Sequence, residues 1–446
     1  MMRLIDLTSL QADDYASVMP RASLDPATAM AAVQSICAAV ATEGEAALRR
    51  FSQQFDQVVP DSFRVDPHLA RQAAAELDPG LLDAYALAIA RRREVCLAEA
   101  NLPDAQVEVA DQAQITIRAV PVERVGLYVP GGLAPLASSV IMNVVPAQIA
   151  GVRSLAVATP PQAEFGGLPH PTILAVCHLL GVEEIYAVGG AQAIAMFAYG
   201  VAGLCQRVDM VTGPGNVYVA AAKRYLKTLV GIDSEAGPSE VAVIADQSAD
   251  PVFVAADLIS QAEHDPQAAS VLISDSDQLI ESVKQALPGL ISQQPHRLRI
   301  QQALAGPQSA ILKVRDIDQA VDVANTYAAE HLEIQTHQPD QVAMRINNAG
   351  AIFIGDYSPV SLGDYAAGST HVLPTGGSAR FASGLTVRSF IKTVHLIDYR
   401  APALASVASA IELFAQSENL PAHAQAIAVR RRAHAQMADQ SIVGPA

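Results

Sequence analysis

The stretch SEAGPSEVAVIADQSADPVFVAADLISQAEHDP, residues 234–266, holds one complete strand-to-helix unit. Gly237 and Pro238 make a turn and Val241–Ala245 is an uninterrupted apolar strand. Asp250 followed by Pro251 is an N-cap with proline at the first helical position. At the far end of the predicted helix Gln261 and His264 stand three apart, which puts them on one helical face within reach of a single ligand, while Glu263 points elsewhere. The same pair is equally at home on a solvated helix end, so its meaning depends on what surrounds it.

Working outward, the same alternation repeats on both sides. From Val125 the chain reads VGLYVPGG, SLAVATPP, EIYAVGG and VDMVTGPGN as strands, with helices between them and a last helix in VYVAAAKRYLKTLVG. After residue 239 come VAVIAD, SVLISD, AILKV and AGAIFIG, again separated by helical patterns. Short apolar strands alternating with helices predict two parallel sheets with covering helices, one at 125–235 and one near 239–356. Before them, residues 25–104 form an Ala-rich helical layer with no visible chemistry, and 106–119 alternate like a hairpin. The helical pattern DIDQAVDVANTYAAEHLEI is expected to end at Glu330-His331, and residues 357–384, rich in Gly, Ser and Pro, to form a long ordered loop. The tail from 403 to about 438 reads as one or two helices.

Composition narrows the function. Of 446 residues 51% are hydrophobic and 17% charged, a globular balance, and the formal charge of -16 argues against a polyanion partner such as nucleic acid. Arg91-Arg92-Arg93 and Arg430-Arg431-Arg432 are read as solvated helix faces or dimer contacts. The four cysteines lack any C-x-x-C spacing, which fits core positions in a reducing compartment. No uncharged apolar run is long enough to span a membrane, so a soluble cytoplasmic protein is expected.

The turns YVPGG, VGG and TGPGN each present backbone amides at a helix start, where a pyrophosphate can be held; the G-x-G-x-x-G fingerprint is absent, and the same glycines also serve as plain turns. Of eleven histidines, His264, His331, His371 and His423 have acidic or amide companions. Glu330-His331 suits a base beside a water-activating carboxylate, because His titrates near neutrality and burial can raise a Glu towards it. A Gln, an Asp and two His would make a nitrogen- and oxygen-only site for zinc or manganese with positions left open for substrate.

Taken together, GLYVPGG, VGGAQAIA, GPGN, AGPSE, SQAEH, AEHLEI, GDYAAGSTHVLPT and ENLPAH occur in the order seen in histidinol dehydrogenases, and over about 300 residues the chain resembles that family. The resemblance implies two incomplete Rossmann-like domains with small helical N- and C-terminal segments: 1–24 as an N-terminal segment, 25–124 with 239–384 carrying metal and catalytic residues, 125–238 binding NAD, and 385–446 as a dimer-swapped tail. It implies oxidation of L-histidinol to L-histidine through L-histidinal with two NAD. One zinc per subunit would be held by Gln261, His264, Asp364 and, from the partner of a homodimer, His423. Glu330 and His331 would be catalytic. Substrate would meet Ser239, Gln261, His264, His331, Asp364, Glu418 and His423 with His371 nearby, and NAD would meet Tyr128, Gln192 and Asn216. Val360 departs from the family pattern, in which an acidic residue is usual, so a related dehydrogenase of another polar alcohol, such as a sulfonated diol, is the competing expectation.

Overall fold

The computed structural model describes residues 2–22, 26–101, 104–131, 135–235 and 237–442; Gly132 of the YVPGG turn lies outside them. The chain divides into two units, residues 1–100 with 122–390 and residues 101–121 with 391–446.

The first unit contains two wholly parallel sheets. Six strands lie in the order Arg3–Asp6, Ala310–Lys313, Ala269–Ser274, Glu240–Ala245, His331–Gln335 and Ala351–Ile354. Five lie in the order Ile185–Ala187, Ser154–Thr159, Arg124–Tyr128, Met210–Thr212 and Gly231–Ile232. Glu240–Ala245 shows why apolar runs become central strands. Val241, Val243 and Ala245 enter one core while Ala242 and Ile244 enter another, so both faces are buried and a polar residue on either would lie among hydrocarbon. Asp250 accepts a hydrogen bond from the Val252 amide and caps the helix Pro251–Ala262, as its residue type demands. This is the expected α/β class with two incomplete Rossmann-like domains, the Arg3–Asp6 strand being an addition at a sheet edge.

Other segments settle differently from their sequence grouping. The Ala-rich helices Pro26–Glu43 and Glu45–Phe51 pack through Val33, Cys37, Val40 and Leu48 into the core of the five-stranded sheet, in the 125–238 half rather than the 239–384 half. The hairpin Ala105–Ala110 and Ala113–Pro121 belongs to the second unit, where its second strand pairs antiparallel with Ile391–Tyr399 ahead of the helices Ala401–Ser417 and Pro421–Ile442. Arg92 is not on a solvated face: it is fully buried, donating to the carbonyls of Gly368 and Leu385 at 3.2 Å and pairing with Glu99. All four cysteines are free and buried. No helix among the described residues is long and apolar enough to cross a membrane.

Candidate active site

Glu330 and His331 close no helix. The helix Ile317–Tyr327 stops at Ala328, whose φ of 51° is left-handed, and His331 opens the strand His331–Gln335 beside Val241 and Ala351. The pair therefore sits at the amino edge of the six-stranded sheet, 5% and 4% exposed. The backbone of Glu240 on the adjacent strand holds both: its N–H donates to Glu330 Oε2 at 2.9 Å, and its carbonyl lies 3.2 Å from His331 Nδ1. A carbonyl can only accept, so Nδ1 carries the proton and Nε2 presents a lone pair. That Nε2 is buried with no hydrogen-bond partner among the described residues. Burial lowers His331 to about 4, against the Asp364 carboxylate, which favours the cation, so the ring is neutral at pH 7. Burial pushes Glu330 well above the usual carboxylate range, with the Glu240 amide pulling it back and the Glu240 and Asp364 carboxylates adding to the rise.

The other groups arrive from two elements. Gln261 lies in the last turn of the helix Pro251–Ala262 and is 1% exposed, both amide atoms buried with no hydrogen-bond partner among the described residues, while His264 follows one turn on and is exposed. Asp364 lies on the short helix Val360–Tyr365 within the Gly-rich segment expected to be a loop. His371 fixes that segment, donating from Nδ1 to the Asp364 carbonyl and accepting at Nε2 from the Ser139 hydroxyl, each at 3.2 Å. Arg91 and Arg92 hold it from behind through the carbonyls of Ala366 and Gly368. The charge on Asp364 is felt by Glu330, His331 and His371, and that on His264 by both histidines, so these five residues share one neighbourhood. Ser239, half-buried, directly precedes the Glu240 strand.

Beside His264 opens a cavity of about 1060 Å³, large enough for a dinucleotide-sized ligand. Tyr128, Gln192 and Asn216 line its other wall at the carboxyl edge of the five-stranded sheet, the edge where open α/β sheets take ligands. The Tyr128 hydroxyl accepts from the Gly190 amide, and Asn216 caps the helix Val217–Leu226 through the Tyr218 and Val219 amides. Gly213 is required in the TGPGN turn: its φ is +112° and a Cβ there would collide with the Tyr128 carbonyl. Buried Lys223 pairs with Asp233 and donates to the Gly213 carbonyl, while Asp233 accepts from the Gly213 amide, so the turn is clamped from both sides.

The profile of the family described as histidinol dehydrogenase matches residues 19–431. The chain belongs to the histidinol dehydrogenase family. It is accordingly an enzyme, an oxidoreductase, as expected. A histidinol dehydrogenase from Cutibacterium acnes is 60% identical over 97% of this chain and all of that protein, and one from Thermobifida fusca is 56% identical over 96% and 97%. The crystal structure of the Elizabethkingia anophelis histidinol dehydrogenase is 32% identical, covers 97% of this chain and 98% of its own, and superposes with a TM-score of 0.89.

Against the residues expected from the histidinol dehydrogenase motifs, the first unit brings together Glu330, His331, Asp364, His264 and His371, with Gln261 one turn before His264, and opens the cavity that holds Tyr128, Gln192 and Asn216 next to His264. Glu418 and His423 lie in the second unit, both exposed. Among the described residues no three of His, Cys, Asp and Glu converge at metal spacing. Val360 is 4% exposed, its side chain in the apolar core with Phe353 rather than on the cavity wall. Sequence reading missed the Glu240 backbone and the cavity wall formed by Gln54, Phe55, Asp56, His296 and Arg299. It also missed the polar pair Glu333 and Gln335, which a period of two from His331 would have revealed had the segment been read as a strand.

Proposed function

We propose that the chain is a zinc- and NAD-dependent histidinol dehydrogenase that oxidises L-histidinol through L-histidinal to L-histidine, a four-electron reaction consuming two NAD, in the final steps of histidine biosynthesis. The observation that carries this reading is the Gln261 amide. Buried polar atoms are almost always hydrogen-bonded, yet both of its atoms are orphaned, one helical turn from His264 at the mouth of the large cavity. A ligand in front of them completes the site, and an amide oxygen, an imidazole and the Asp364 carboxylate are donors that zinc accepts. His423 of a second copy of the chain would be the fourth ligand, giving one zinc per subunit in a swapped homodimer. The second unit leaves Ile397, Leu413 and Phe414 largely exposed, apolar surface suited to such a partner.

When bound, zinc would supply a fixed cation that holds the substrate's amine and imidazole, and NAD the acceptor for two successive hydrides. The chain's own residues do the rest. His331 Nε2, its lone pair aimed outward by the Nδ1–H bond to Glu240, takes the hydroxyl proton in the first oxidation, returns it to the aldehyde oxygen as water adds, and takes a hydroxyl proton of the hydrate in the second. Glu330 takes a proton from the water that adds to the aldehyde carbon. Ser239, Gln261, His264, His331, Asp364 and His371 surround the reacting carbon, and Glu418 and His423 close the site from the partner. Tyr128, Gln192 and Asn216 place NAD against it, so most of the rate gain comes from positioning and from a base of the right protonation state. Histidinol is cationic and the Glu418 carboxylate attracts it, whereas an anionic substrate such as a sulfonated diol would be repelled. The four reduced, buried cysteines fit action in the cytoplasm.

The test is purified protein with NAD and L-histidinol, followed by NADH absorbance. Two NADH per histidinol, abolished by chelation and restored by zinc, is the expected result. Turnover of another polar alcohol but not histidinol would transfer the site to the related dehydrogenase.

A further inference from the structure

Behind the catalytic pair lies a set of buried polar groups that the chemistry above leaves unused. On the strand His331–Gln335, Leu332 and Ile334 enter one apolar core, so His331, Glu333 and Gln335 share the opposite face. Glu333 and Gln335 are 1% and 2% exposed. Asp257 lies one turn before Gln261 on the helix Pro251–Ala262, on the same helical face. The Asp257 and Glu333 carboxyls converge on one amide, that of Gln335, and burial raises both above the usual carboxylate range. Gln335 Nε2 donates to Asp257 Oδ2 at 2.7 Å and to Glu333 Oε2 at 3.2 Å. The Val360 N–H, at the start of the helix that carries Asp364, donates to Glu333 Oε1 at 2.8 Å. Among the described residues neither carboxyl pairs with a Lys, Arg or His.

Two carboxylates offer only acceptors, so a carboxyl–carboxyl hydrogen bond needs a proton on one of them. Two like charges meeting at one amide, Glu333 buried and neither beside a cation among the described residues, could not both remain ionised. The bonds from this pair reach three elements: the helix of Gln261 and His264, the strand of His331, and the helix of Asp364. We propose that Asp257 and Glu333 share one proton and act as a positioning pair, tying those three elements into the register in which Gln261, His264 and Asp364 meet a metal ion in front of His331. This rests on the zinc-site reading above. It also gives Val360 a role on this chain: its backbone N–H, not its side chain, is the group the site uses.

The test compares the intact enzyme with Glu333→Gln, Glu333→Ala and Ile334→Ala, reading zinc affinity by chelator competition alongside kcat and KM. A glutamine amide donates to Asp257 as the protonated acid does and still accepts from Val360, so Glu333→Gln is expected to hold zinc within about threefold of the parent. Glu333→Ala removes the tie and is expected to weaken zinc by about 10–100-fold, the range found when groups that orient metal ligands are lost, and to lower kcat while leaving KM for NAD unchanged. Ile334→Ala loses a core side chain from the other face of the same strand, and is expected to lower Tm without moving zinc affinity. Where Glu333→Ala does not fold, Asp257→Ala against Asp257→Asn makes the same comparison from the less buried partner. Equal zinc affinity in the alanine and amide variants, or an equal loss in Ile334→Ala, would overturn the positioning role. A parent enzyme that binds no zinc would instead overturn the reading on which it rests.

Discussion

Glu330 is held in a place that disfavours its charge. Burial raises its carboxyl well above the ordinary value, so the folded protein binds a proton there more tightly than the unfolded chain, and stability is lost as pH rises from the unfolded value through the folded one. At pH 8 Glu330→Gln is therefore expected to raise Tm while cutting kcat by about 10²–10⁴-fold. Thermal unfolding and NADH assays on one preparation check both halves, and a variant that is active or less stable contradicts them. His331 works in the opposite sense. Its folded value of about 4 lies below the unfolded 6.5, so its contribution is complete above pH 6.5 and fades as pH falls towards 4. In chelated, metal-free protein the unfolding free energy should fall by about 2 kcal/mol more between pH 7 and 5 in the parent than in His331→Asn. Urea titrations at the two pH values measure the difference, and parallel losses would show that His331 is not buried as a neutral ring.

At the scale of elements, legibility followed burial. Strands such as Glu240–Ala245 were readable because both faces are covered and every side chain from Val241 onward is apolar. The element that carries Glu330 and His331 was not. The helical spacing of Val321, Ala324, Tyr327 and Ala328 runs on to Leu332, and the stop comes from an alanine in a left-handed conformation that neither Gly nor Asn announces. Residue types at the site could be picked out because SQAEH, AEHLEI, GDY and ENLPAH occur in the order of the family's motifs; spacing alone leaves such residues equally at home on a solvated helix end. Their convergence could not, because it depends on packing between segments far apart in sequence. Arg92 shows the same limit: one of three arginines on a helix looks solvated until the segment 357–384 folds over it. Arg92→Met would leave the Gly368 and Leu385 carbonyls without donors, an expected loss of about 1–3 kcal/mol. Because Gly368 lies between Asp364 and His371, KM for histidinol should rise as well; unchanged kinetics with lowered Tm would separate the anchor from the site.

At the scale of the whole molecule, the proposed site is written in two places. In the proposed enzyme the first unit would supply the base, the water-activating carboxylate, three ligands and the NAD cavity; the second unit carries Glu418 and His423, both exposed, about a helix junction. If the second unit completes the site of another copy, two inactive variants can repair each other. His331→Asn and His423→Asn are each expected to lose nearly all activity, the first keeping its zinc and the second losing it. Unfolded together and refolded in equal amounts, they should form hybrid dimers in which one site has both residues intact. Random pairing makes half the dimers hybrid with half their sites whole, so about a quarter of parental activity should return. Recovery near that level is the predicted result; a mixture no more active than its components, with hybrids shown to form, would contradict a site shared between subunits.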